Sequence, residues 1–175
     1  MKTGKGAFAV KALVLLVWMI LISALESSVM VHLKILGQVP KGLPFVVAAA
    51  AVLDGPMAGV LAGAAAGFFA DGVAGQSFCL YSVVYLVGGA AVGALSQEVF
   101  RRSFLTAIGW GAALYGIGEF LRFFLFYYLF GRAGWGAVLT VILPGLLYSL
   151  LISPLAVGPS FILRRCFKTE APLIR

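Results

Sequence analysis

Apolar residues run along this chain in six long stretches, separated by short clusters of charge, glycine and proline. Stretches such as residues 12–25 show no alternation of apolar and polar positions. Strands of a membrane barrel would alternate with a period of two, so the pattern predicts helices. They are expected at about residues 9–29, 42–53, 56–71, 78–97, 104–130 and 136–163. The second and third are shorter than a usual membrane span, and Asp54-Gly55-Pro56 divides them. Proline fixes its own φ and glycine tolerates a tight bend, so this tripeptide predicts a helical hairpin with its tip at Asp54.

Composition then sets the solvent. With 62% hydrophobic and 11% charged residues, the chain lies far outside soluble folds. A hydrocarbon layer of about 30 Å takes roughly 20 apolar residues per helix, and inside it each backbone group must find its partner within the helix. The expectation is an all-α integral membrane protein, a single compact domain of six transmembrane helices over residues 1–175. The first stretch follows Lys2, Lys5 and Lys11, as in a signal peptide, but no small-x-small cleavage site follows it. It reads as a retained signal anchor. Disorder is expected only over residues 1–6 and 168–175.

The net charge of +7 does not point to nucleic acid, because the basic residues sit at the edges of apolar stretches rather than in one patch. They report topology. With six crossings Lys2, Lys5, Lys11, Arg101, Arg102, Arg164, Arg165, Lys168 and Arg175 lie inside, against Lys34, Lys41 and Arg132 outside. Merging the second and third helices leaves only Lys2, Lys5, Lys11 and Arg132 inside, against the positive-inside rule. Six crossings, with both termini cytoplasmic, follow. A re-entrant hairpin would keep the same sidedness but leave Asp54 deep in the membrane, at a cost of about 3 kcal/mol or more. Cys79 and Cys166 fall near opposite faces, so no disulfide is expected.

The sharpest pattern lies in the third helix, where Gly55, Gly59, Gly63 and Gly67 recur every fourth residue and Asp71 continues the row. Helices in lipid associate through close van der Waals contact, which such a stripe permits. It serves either packing within the chain or a partner's helix. Gly88, Gly89 and Gly93 repeat the theme in the fourth helix, and Gly109, Gly111, Gly116 and Gly118 in the fifth. The fifth then carries Glu119 and Arg122, three residues apart and within reach of each other on one helix. Charges at this depth are costly, so they neutralise each other or meet a polar partner. Phe120, Phe123, Phe124, Phe126, Tyr127, Tyr128 and Phe130 surround them on so many sides that some must face lipid or another protein. Glu26 and Asp71 are expected to reach interfacial water, and His32 to lie in a solvated loop. In the sixth helix Leu143-Pro144-Gly145-Leu146-Leu147-Tyr148-Ser149 is followed by Pro154 and Pro159, which predicts a bend near Tyr148.

Catalysis finds little support. His32 is the only histidine, and Gly75-Gln76-Ser77-Phe78 lacks the closing glycine of a nucleophile elbow. There is no phosphate-binding glycine loop and no Cys/His cluster for a metal, so neither an enzyme nor a cofactor is expected.

The hairpin at Gly55-Pro56, the ladder through Gly59, Gly63 and Gly67-Phe68 to Asp71, then Leu80, Tyr85 and Gly88, and the late Pro144, Tyr148 and Pro154 together resemble the MreD family of rod shape-determining proteins. The likeness covers about residues 43–165. The chain departs from it at Gln76-Ser77-Phe78, where the family has a Leu-Gly step, and at Ser149, where many members have Asn. The resemblance implies a non-catalytic scaffold of the bacterial cell-elongation complex in the inner membrane, bound to the single-pass protein MreC. Through MreC it would connect to MreB, RodA and the transpeptidase partner of RodA, and so to peptidoglycan synthesis. The family also looks like the substrate-binding S-components of energy-coupling-factor transporters, which makes a vitamin-type transporter subunit the rival expectation. That rival needs an outward pocket on which Glu119, Arg122, Glu26 and Asp71 converge. A homodimer through the glycine ladder is a further expectation left open.

Overall fold

The structure, a computed structural model, describes residues 3–30, 32, 38–74, 79–98, 103–128 and 136–166. Among these residues it is all-helical, without strands. Six α-helices follow one another: α1 (Thr3–Leu25), α2 (Leu43–Asp54), α3 (Pro56–Ala74), α4 (Leu80–Glu98), α5 (Phe104–Phe123) and α6 (Gly136–Cys166). α1 and α5 each continue into a π-helical turn, Glu26–Met30 and Phe124–Tyr128. Each expected apolar stretch is one helix, with boundaries shifted by a few residues. α1 begins at Thr3, so residues 3–6, expected to be disordered, are helical, and residues 1 and 2 lie outside the described residues. Residues 168–175, Lys2, Lys34, Arg101, Arg102, Phe130 and Arg132 lie outside the described residues.

Four of the helices contain segments long and apolar enough to cross a membrane: Val10–Ser28, Pro56–Val73, Phe104–Phe126 and Ile142–Leu163. The other two are shorter, and α2 has a singular place. All of its side chains over residues 43–53 are buried, on every side of the helix. It forms the axis of the bundle, with α3, α4, α5 and α6 packed around it and α1 touching it lightly. Twelve residues at 1.5 Å each give about 18 Å, too short for a full hydrocarbon layer. α2 need only join two polar levels, however. At one end Lys11 of α1 pairs with Asp54 at 2.5 Å, and at the other Glu26 meets the backbone of Gly42. Along α1 those levels are about 22 Å apart. We call them the hairpin end and the clasp end.

The turn between α2 and α3 needs its glycine. Gly55 has φ of 92°, a conformation side chains rarely adopt, and its N–H closes α2 on the Ala51 carbonyl at 2.9 Å. Proline then starts α3, where a missing N–H costs nothing.

α3 and α4 pack backbone to backbone. A Cβ at Gly59 would run into the carbonyl of Gly89, one at Gly63 into that of Tyr85, one at Gly67 into Cα of Ser82 and one at Gly93 into Pro56. The groove that the ladder forms is therefore filled by α4 of the same chain. Gly111 plays a similar part on α5, where Phe45 Cα would lie 2.9 Å from an added Cβ.

The outside of the bundle is apolar. Leu13, Leu21, Met57, Phe68, Val83, Leu105, Leu147 and Leu151 are all exposed, drawn from every helix but α2. Such a surface would be unfavourable in water and suits lipid. α6 runs unbroken through Pro144, Pro154 and Pro159. Pro154 cannot donate to the Leu150 carbonyl, and Ser153 Oγ donates to that oxygen at 2.7 Å instead. Tyr148 is half-buried, and beside it Ser149 Oγ donates to the Gly145 carbonyl at 2.7 Å.

Candidate functional site

Charged groups gather at the clasp end. Glu119 sits on the inner side of α5, buried in line with Gly111, Leu114, Tyr115 and Gly118. Arg122 follows one turn later, and its Nε and Nη2 donate to Glu119 Oε2 at 3.1 and 2.9 Å. On the other oxygen, Oε1, Tyr81 of α4 donates its hydroxyl at 2.8 Å, and Lys41 Nζ forms an ion pair. Lys41 Nζ also donates to the Tyr81 hydroxyl at 2.8 Å and lies 4.5 Å from the centre of the Tyr81 ring. The backbone N–H of Lys41 donates to Ser149 Oγ at 3.0 Å, which ties the cluster to α6. One carboxylate thus joins α4, α5 and the entry to α2, whose Lys41 backbone in turn reaches α6.

The donor count decides what this cluster can do. An ionised carboxylate offers about four acceptor positions. Lys41, Tyr81 and the two Arg122 nitrogens supply four donors, so none is left for a solute.

Two further carboxylates at this end serve as helix caps. α2 begins at Gly42 and α4 just after Cys79, and neither residue brings a side-chain oxygen to its own helix N-terminus. Glu26 Oε1 accepts from the N–H groups of Gly42, at 2.5 Å, and Leu43, at 3.2 Å. Asp71 accepts from Tyr81 N at 3.0 Å, Ser82 N at 2.9 Å and Ser82 Oγ at 2.6 Å. A helix starting inside a low-dielectric layer has no water for its first N–H groups, so the preceding helix supplies an acceptor. This corrects the expectation that Asp71 reaches interfacial water, for it is 8% exposed with both oxygens engaged, whereas Glu26 is half-buried with only Oε1 on the α2 backbone. Replacing Asp71 with alanine orphans these donors and is expected to lower stability by about 2 kcal/mol. Ser82→Ala should cost clearly less, and thermal unfolding of the two variants in one detergent checks the order.

No known family model, curated protein or solved structure matches the chain.

The structure brings Glu119 and Arg122 together, as their spacing predicts, and adds Lys41 and Tyr81. Lys41 had a signal, since it is a cation at the edge of an apolar run on the same side as Glu119. Tyr81 had none, because its hydroxyl meets Glu119 only through the α4–α5 packing. Phe120 and Phe124 are exposed and stacked on each other, with centroids 6.5 Å apart and planes 17° from parallel. Gly109 and Gly116 of α5 differ from the ladder, for an added Cβ would meet nothing within 4 Å at either. They continue the exposed side of α5 past Ala113 and Ile117 to the two phenylalanines. His32 is exposed, with Nδ1 2.8 Å from the Ser28 carbonyl. Cys79 is exposed and reduced. Among the described residues no group of His, Cys, Asp and Glu has the make-up of a metal site.

Proposed function

We propose that the protein is a non-catalytic membrane scaffold of the cell-elongation machinery, a MreD-type subunit that binds the transmembrane helix of MreC. The observation that carries this reading is the division of labour among the glycines. Gly59, Gly63, Gly67 and Gly93 are consumed by internal packing, whereas Gly109 and Gly116 leave bare backbone on the outside of α5, beside the stacked Phe120 and Phe124. Glycine weakens a helix, and among the described residues nothing lies within 4 Å of a Cβ added at these two positions. A partner helix approaching closely would use both the bare backbone and the aromatic step.

Several residues behind the MreD resemblance also build the framework: the Gly55 turn, the ladder against α4 and Asp71 on the start of α4. Filled acceptors on Glu119 weigh against the transporter reading, since solute pockets are commonly about 300–1,000 Å³ with polar groups free to engage the solute. In the proposed topology all six helices cross the bacterial inner membrane with both termini cytoplasmic. The hairpin tip then lies at the cytoplasmic face, where Lys11, at the start of the apolar segment Val10–Ser28, neutralises Asp54.

The test is affinity capture of the tagged protein from its native membrane, with mass spectrometry of what accompanies it. MreC at near-equal amounts is the expected outcome. Gly109→Leu with Gly116→Leu is expected to leave folding intact and cut MreC recovery about tenfold or more, by blocking close approach. Recovery of a transporter ATPase pair without MreC would overturn the proposal.

A further inference from the structure

A narrow cleft opens between the clasp end of α1 and the middle of α6, walled by Ile22, Leu25, Pro40, Ile152 and Leu155 with Glu26 among them. Its free space of about 20 Å³ admits a group the size of one water and no more. Among the described residues Glu26 is the only charged one on this apolar lining. Its Oε1 takes both backbone donors of α2. Its Oε2 takes no donor among the described residues, and it is not one of the polar atoms sealed inside the protein. A carboxylate oxygen at the rim of an apolar segment needs a donor, and a cation suits it better than water.

Depth narrows the choice of cation. Glu26 lies two residues before the end of the apolar segment Val10–Ser28 of α1, while the α6 wall of the cleft lies within the apolar segment Ile142–Leu163. The cation therefore has to reach a carboxylate bordered by hydrocarbon, as one that carries its own acyl chains can. Leu155 of the lining and Leu151, one turn before it on α6, are exposed, a track along which an acyl chain can lie. A whole helix, about 10–12 Å across, does not enter so narrow a cleft, whereas an ammonium group is close to water in size.

We propose that the Glu26 cleft binds the primary ammonium of an amine-headed phospholipid, with an acyl chain lying along the exposed Leu151 and Leu155. The ammonium donates to Oε2 while Oε1 keeps its place on Gly42 and Leu43. The inference does not rest on the partner reading, because the residues of the cleft belong to α1, α6 and the start of α2 and not to α5.

The test reconstitutes the full chain in vesicles of equal parts phosphatidylethanolamine and phosphatidylglycerol, extracts it in mild detergent and counts retained lipids by native mass spectrometry. Selective retention of phosphatidylethanolamine is expected. Glu26→Gln keeps an oxygen for the α2 backbone but loses the charge and the second acceptor, and retention should fall about tenfold or more. Leu155→Trp fills the cleft with Glu26 untouched and should give the same loss, which decides the matter if the glutamine variant fails to fold. Phosphatidylcholine, whose quaternary ammonium has no N–H, should not replace the amine lipid. Retention unchanged in both variants, or phosphatidylcholine held equally well, would overturn the proposal. So would a carbodiimide cross-link in native membranes joining Glu26 to a protein lysine instead.

Discussion

Gly63→Leu is expected to abolish the folded protein. The obstacle to a side chain here is backbone: the Tyr85 carbonyl and Cα of Leu86, the latter 2.9 Å from where a Cβ would sit. No change of rotamer relieves a collision with backbone, so α3 and α4 must move apart. The neighbours of Gly63 leave no slack, since Gly59 and Gly89 block each other reciprocally and Gly67 lies on Ser82. Separation would also pull Asp71 off the start of α4 and shift Tyr81, which donates to Glu119. Overpacking alone costs about 1–3 kcal/mol, and the loss of these bonds adds to it. Gly63→Ala should therefore lower stability measurably, and the leucine variant should lose its single peak in fluorescence-detected size exclusion. Gly109→Leu is the control, with open space around the added side chain and an expected change within about 0.5 kcal/mol. A leucine at 63 that eluted and melted like the parent would mean that α3 and α4 do not touch as described.

Those contacts were partly legible in the sequence. A four-residue glycine spacing says that something comes close to one side of the helix, and Gly88, Gly89 and Gly93 make α4 a candidate. The helix boundaries and the Asp54 turn were legible because apolar runs, glycine and proline act locally. Glu119 and Arg122 were legible for the same reason, being one turn apart on one helix. The central position of α2 was not. A helix that is apolar all round reads alike whether it faces lipid or other helices, and only its shortness hinted that it joins two polar levels. The caps were hidden as well. Glu26 and Asp71 act on N–H groups 16 and 10 residues away. What could have revealed them is a lack, for neither Gly42 nor Cys79 can cap the helix it introduces, and each helix has an acid shortly upstream.

The clasp gives the second large effect. Glu119→Ala leaves Lys41 and Arg122 facing each other without their shared carboxylate, and leaves the Tyr81 hydroxyl without its acceptor. Removing one member of a buried ion pair typically costs about 3–5 kcal/mol, because the remaining charge cannot be resolvated. Lys41→Met should cost much less, since Glu119 keeps Arg122 and the pair stays neutral. The order reverses the usual intuition about adding deletions together. With Lys41→Met and Arg122→Met already present, Glu119→Leu removes a lone buried anion and should restore much of the stability lost. Thermal unfolding in one detergent, arranged as a double-mutant cycle on Lys41 and Glu119, would show a coupling of about 1 kcal/mol or more if the carboxylate works as a structural clasp. Simple additivity would instead mean that Lys41 contributes nothing through Glu119. The four filled acceptor positions would then no longer argue against a solute site there.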